Sequence, residues 1–135
     1  MNELKFNSQI CTDINQSKKL LELGLKPETA DCMHSYLIKD FRGREVAESD
    51  RHYYLSLFNQ DEFQAVGLSQ YEKIPAWSLH RLIELGGFNV ECKGIFWRVT
   101  GTYISESCDK IYDTIIDSIE ALITEDLFNK EYLKQ

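Results

Sequence analysis

Ile74-Pro75-Ala76-Trp77-Ser78-Leu79-His80-Arg81-Leu82-Ile83-Glu84-Leu85-Gly86-Gly87-Phe88-Asn89-Val90-Glu91-Cys92 carries two different periods on either side of a glycine pair. Trp77, Leu79, Leu82, Ile83 and Leu85 keep the rhythm of one helix face. Proline suits a first helical position, where the missing N–H would be unpaired anyway, so the spacing predicts a helix opening at Ile74 to Trp77. Gly86-Gly87 ends it. Beyond the pair, Phe88, Val90 and Cys92 alternate with polar residues, and alternation resumes from Ile95 to Thr100 after Lys93-Gly94. Two alternating runs across a short turn predict a β-hairpin, which Tyr103 and Ile104 extend.

The flanks add elements of both kinds. Asp13 and Gln16, three apart, have the form of a capping box, and Gly24 and Pro27 supply a stop, predicting a helix over 13–23. Pro27 to Asp31 reads as a short turn. Met33 to Ile38 and Tyr53 to Phe58 read as strands, the second with Tyr53, Leu55 and Leu57 on one side and Tyr54, Ser56 and Phe58 on the other. The charge-rich stretch 40–50 and the polar stretch 59–73 read as connections. Ile111, Tyr112, Ile115, Ile116, Ile119, Leu122 and Ile123 form a wide stripe that predicts a last helix over 109–124, with Ser107 as its N-cap and Asp109 at the positive end of its dipole. The expected fold is α+β: a two-layer domain, one unit over residues 1–135, with a small, mostly antiparallel sheet of three or four strands covered by about three helices.

With 43% hydrophobic and 27% charged residues in 135, the chain has material for a core. Met1 to Ile10 lacks the apolar run of a secretory signal, and no segment reaches the roughly 20 apolar residues of a membrane span, so a cytoplasmic protein without a membrane partner is expected. Cys11, Cys32, Cys92 and Cys108 are then reduced thiols, expected to pack in the core. A net charge of −7 excludes binding to nucleic acid through a basic surface.

Catalytic and metal motifs fail on spacing. Cys32 and His34 lie two apart, but neither they nor His52, His80, Cys92 and Cys108 form the close ligand pairs of structural zinc, so no metal is expected. Ser78 and His80, two apart on a helix, do not face each other and form no nucleophilic dyad. Gly86-Gly87 follows a helix and precedes a strand, the reverse of a phosphate-binding loop. Trp77 and Trp97 read as packing residues. No catalytic residue and no cofactor is expected, and an enzyme of unrecognised type stands as an alternative to a binding role.

One surface feature stands out. From Gly101 onward there are eight acidic residues against three lysines, and Asp109, Asp113 and Asp117 recur every four residues with Glu120 following. That spacing lines them along one edge of the last helix as a candidate interaction surface, either for a basic protein partner or as an imitation of a phosphate backbone. Exposed aromatics such as Tyr53 and Tyr54 offer a second surface, self-complementary enough to allow a homodimer.

Leu20-Leu21-Glu22-Leu23-Gly24-Leu25-Lys26-Pro27-Glu28-Thr29-Ala30-Asp31 and, later, Pro75-Ala76-Trp77-Ser78-Leu79-His80-Arg81-Leu82-Ile83-Glu84-Leu85 resemble small proteins of phages, prophages and mobile elements of Bacteroides-type gut bacteria. Those carry L-L-x-L-G, T-A-D, then P-A-W-S-L-x-x-L-[IL]-E-L and a closing helix. The resemblance covers both helical motifs and not the stretch 39–73. It carries no catalytic residue over to this chain. It implies a bacterial cytoplasm and a mobile-element setting, where a small acidic protein is expected to bind a protein partner rather than catalyse.

Overall fold

The computed structural model describes residues 9–40, 42–64, 71–93, 96–101, 105–108 and 110–134. The fold is α+β. Helix α1 (Ile14–Glu22) begins at Asp13, whose carboxylate accepts from the Gln16 N–H at 2.7 Å while the Gln16 side chain accepts from the Asp13 N–H at 3.0 Å, the capping box read from the sequence. Gly24 comes next with φ +103°, a conformation that a side chain would strain. A single 3₁₀ turn (Pro27–Thr29) then leads into strand β1 (Cys32–Leu37).

β1 is the middle of a three-stranded antiparallel sheet, flanked by β2 (Tyr53–Leu57) and β3 (Tyr71–Ala76). Short helix α2 (Gln60–Gln64) lies between those two flanking strands. The stretch 59–73, expected to be a plain connection, therefore holds a helix and the start of a strand; residues 65–70 lie outside the described residues. The expected helix opening at Ile74 is also corrected: Ile74 to Ala76 finish β3, and helix α3 (Leu79–Gly86) starts one turn later with Ser78 as N-cap, its Oγ accepting from the Arg81 N–H at 3.1 Å. The Phe58 N–H donates to the Asp31 carbonyl, so Met33 and Ser35 turn their main-chain groups toward β2 and Cys32, His34 and Tyr36 turn theirs toward β3. Pro75 stands opposite Met33, where the ladder asks for no N–H on that edge strand. Gly87, φ +66°, ends α3 as expected.

β4 (Asn89–Lys93) and β5 (Phe96–Thr100) form the expected hairpin, with Val90 opposite Val99, and β6 (Ser105–Cys108) adds to β5. Its turn residues 94–95 and the expected extension at Tyr103 and Ile104 lie outside the described residues. The strands thus divide between two three-stranded sheets instead of forming one. Ser107 is a residue of β6, not a helix cap; helix α4 (Ile111–Thr124) comes after Lys110, which offers no side-chain cap. Its apolar stripe is as expected: Tyr112, Ile115, Ile116, Ile119 and Leu122 are buried. α4 packs on α1, α3, β5 and β6, while α1 packs on β3. Leu20, Leu25, Trp77, Leu82, Leu85, Phe88, Val99 and Phe128 close the core around it. Burying each such side chain contributes about 1.5–3 kcal/mol. After α4 the chain returns along the residues beyond the C-terminal end of α1, with Lys26 N–H on the Tyr132 carbonyl and Lys134 N–H on the Gly24 carbonyl. Among the described residues no helix is long and apolar enough to cross a membrane.

Candidate functional site

The acidic edge of α4 is a seam. Asp113 and Asp117 are exposed, as expected, but α1 lies alongside them. Gln16 Nε2 donates to Asp113 Oδ1 at 2.7 Å, and Lys19 Nζ lies 3.1 Å from both Asp117 Oδ1 and Glu120 Oε2. Hydrogen bonds that Lys19 donates to Glu120 and then to Asp117 raise its pKa. Pairs this open to water stabilise by no more than about 1 kcal/mol, yet they take up the charge that a basic partner would seek. Asp109 lies outside the described residues.

A second cluster joins chemistry-bearing residues that sequence spacing kept apart. Cys11 and Cys32 are both buried against Ala76, and Cys11 Sγ lies 3.8 Å from His34 Nε2. The same ring nitrogen lies 2.8 Å from the Thr12 carbonyl oxygen. A carbonyl only accepts, so Nε2 carries the proton and donates it there. It therefore has no lone pair with which to take a thiol proton. Burial, then the proximity of Cys32 and Asp31, pushes the Cys11 thiol up to about 12, which keeps it protonated at neutral pH. Burial raises Cys32 as well. A nucleophile needs the opposite arrangement, a thiolate beside an accepting base. Among the described residues no three His, Cys, Asp or Glu side chains converge to hold a metal. Cys11 and Cys32 pack in the core as expected, whereas Cys92, near the far end of β4, is exposed.

Around this cluster the polar groups serve packing. Asp31 accepts from the Ser78 N–H at 2.8 Å and from the Ser78 hydroxyl at 2.5 Å. Tyr112, buried and pushed up to about 12 by desolvation, accepts from the Leu79 N–H and donates to the Gln9 carbonyl, both at 3.2 Å. Cys11 and Tyr112 make stability pH-dependent in one direction. Each holds its proton longer in the folded than in the unfolded chain, so their contribution is whole below about pH 9 and is lost as pH rises toward 12. Melting temperature is expected to fall from pH 9 to 11, and less steeply for Cys11→Ala; equal slopes in thermal unfolding would remove Cys11 from the account.

The third surface is β2. Tyr53, Tyr54, Leu55 and Leu57 are 46%, 57%, 43% and 80% exposed, and Ser56 between them is exposed too. Tyr71, on β3, is exposed at the far side of the same sheet. Tyr36 of β1 backs Tyr53 at 5.2 Å between ring centres, with the Arg51 guanidinium 4.9 Å over the Tyr36 ring. Among the described residues β2 pairs with β1 alone. Since Tyr54, Ser56 and Phe58 direct their main-chain groups to β1, those of Tyr53, Leu55 and Leu57 point outward. No Lys, Pro or other charge interrupts this edge, although edge strands normally carry such protection. A groove of about 270 Å³ between the ends of α3 and α4, lined by Glu84, Leu122, Leu127 and Tyr132, is open and smaller than the usual small-molecule site of about 300–1,000 Å³.

No protein-family model, no curated protein and no solved structure matches this chain.

Proposed function

We propose that the chain is a protein-interaction module whose docking surface is the outer edge of β2, completed by a strand from its partner. The observation that carries this reading is a run of five consecutive exposed, uncharged residues, four of them aromatic or aliphatic, on a strand whose outer edge is unpaired among the described residues. Strand addition draws affinity from main-chain hydrogen bonds and specificity from alternate side chains, here Tyr53, Leu55 and Leu57 on one face and Tyr54 on the other. The acidic edge of α4 supports binding less well, because Gln16 and Lys19 already engage its carboxylates. The resemblance of the two helical motifs to phage and mobile-element proteins fits a modulator of a host or element protein.

Capture of partners from a lysate of the source organism separates the two surfaces. A partner held by the wild-type chain is expected to be lost with Leu57→Lys and retained with Asp117→Lys. The converse pattern would move the function to the acidic helix.

A further inference from the structure

We infer that Cys11 and Cys32 are a redox pair, which a hydroperoxide closes into a disulfide that locks the segment before α1 onto β1. The two thiols meet from either side of α1 and pack against Ala76 as a small cluster of their own, apart from the main core. Cys32 and His34 lie two apart on β1 and so share a face, and Cys11 Sγ sits on that face, 3.8 Å from His34 Nε2. The Cys11 thiol donates a hydrogen bond to the Cys32 sulfur. Both backbones are anchored. Cys32 stands in the central strand, between Leu57 and Ala76. Cys11 is bridged to Ser78, and Thr12 beside it donates its N–H to the Trp77 carbonyl and accepts from the Trp77 N–H. Bond formation is thus an event between two held side chains, which meet at high effective concentration.

The surroundings favour this chemistry over others. His34 Nε2 gives its proton to the Thr12 carbonyl and offers no base for acyl transfer. Among the described residues no third ligand joins the pair to hold a metal. Two adjacent thiols can still lose two electrons together. Burial and then Asp31 hold the Cys32 thiol up, but the Arg81 guanidinium and the hydrogen bond from Cys11 work the other way. Cys32 is also the less buried of the two, 8% exposed against 4%. It is therefore the sulfur that attacks. Its thiolate breaks the O–O bond of hydrogen peroxide, forming the S–O bond of a sulfenic acid and releasing hydroxide, which takes up the thiol proton as water. The Cys11 sulfur then attacks the Cys32 sulfur, the S–S bond forms, and the hydroxyl leaves with the Cys11 proton as a second water. In sum, two thiols and one peroxide give one disulfide and two waters, with two electrons passing from sulfur to oxygen. Because both thiols resist ionisation, closure is slow.

The bond closes a loop of about 20 residues, with α1 and the 3₁₀ turn inside it, and so restricts the unfolded chain. Oxidation is expected to raise the melting temperature by roughly 10 °C, and dithiothreitol to reverse the rise. Peptide mapping and thermal unfolding of the full chain, after prolonged incubation with hydrogen peroxide, test the lock. Alkylation of the unfolded product should leave Cys11 and Cys32 unlabelled and joined in one linked peptide pair. Oxidation of the exposed Cys92 is the control that the peroxide has acted. Cys11→Ser removes the resolving thiol, so that chain should hold on Cys32 a sulfenic acid that dimedone traps, with no rise in melting temperature. If the variant does not fold, the peptide map of the wild-type chain decides. An oxidised Cys92 beside fully alkylated Cys11 and Cys32 overturns the pair. So does a Cys32 oxidised past the sulfenic acid while Cys11 still alkylates. A linked chain that melts no higher than the reduced one overturns the lock.

Discussion

Trp77→Ala is expected to destabilise the fold by about 3–5 kcal/mol and to lower the melting temperature by roughly 10–20 °C, the largest effect of any single substitution considered. Trp77 is wholly buried among the side chains that surround α4. Its truncation leaves a cavity at the junction of β3 and α3, whose backbones hold their positions. It also strands a partner: the indole Nε1–H donates to Thr29 Oγ1 at 3.0 Å, linking the start of α3 to the 3₁₀ turn before β1. The main chain at Trp77 is tied as well, with its N–H on Thr12 Oγ1 and its carbonyl accepting from the Thr12 N–H. Those bonds survive the substitution, so the loss measures the ring alone. A typical domain has about 5–15 kcal/mol in total, which makes this roughly a fifth or more of the margin. Trp77→Phe keeps most of the volume and loses only the indole donor, and is expected to cost about 1–2 kcal/mol. Chemical denaturation of both variants checks the pair. A loss under about 1 kcal/mol for Trp77→Ala would mean that the surrounding helices collapse onto the site.

What the sequence reveals of this fold divides along local and non-local lines. Asp13 and Gln16 sit three apart and satisfy each other within one turn, so the start of α1 could be read directly. The same holds for Gly24, for Gly87 and for the stripe of α4, each a matter of adjacent turns. The errors fall where a long-range pairing overrules a local preference. Ile74-Pro75-Ala76-Trp77 has the composition of a helix opening, yet β1 recruits Ile74 and Ala76 from forty residues away and leaves Pro75 at a position that needs no N–H. Ser107 is a favourable cap by type, and pairing with Arg98 of β5 takes it into a strand instead. The division of six strands between two sheets has no local signature, since it depends on which strand β1 and β5 each take as a second neighbour.

The surfaces obey the same rule. The four-residue spacing of Asp113 and Asp117 is written in the sequence, but Gln16 and Lys19, nearly a hundred residues earlier, decide what those carboxylates do. Cys11 and His34 meet only because the segment before α1 is laid against β3 and the start of α3, through the Cys11–Ser78 bridge. That Tyr53 and Tyr54 belong to an aromatic strand is legible in the sequence. Their place on an open edge is not, because alternation says which residues share a face and nothing about which strand lies outermost.

Asp31→Ala is expected to cost about 2–4 kcal/mol, the second-largest effect, although the carboxylate lies outside the apolar core. One oxygen accepts from the Ser78 N–H and the other from the Ser78 hydroxyl, whose oxygen in turn caps the Arg81 N–H. Arg81 Nη1 then reaches back to the Thr29 carbonyl at 2.8 Å, two residues before Asp31. The ring of contacts fixes the start of α3 against the beginning of β1. Alanine leaves the Ser78 N–H without its acceptor and frees the capping hydroxyl to turn. An orphaned donor costs more than an average hydrogen bond returns, and an unsupported cap adds about 1 kcal/mol. Asp31→Asn keeps one oxygen for the Ser78 N–H and offers an amide to the hydroxyl, so it is expected to recover about half of the loss. The coupling is the sharper test. In a double-mutant cycle with Ser78→Ala, the two losses should fall short of additivity by about 1–2 kcal/mol, because the second substitution removes groups that the first has already orphaned. Additive losses would show that Asp31 stabilises β1 on its own account, and that the beginning of the first sheet and the start of α3 hold without each other.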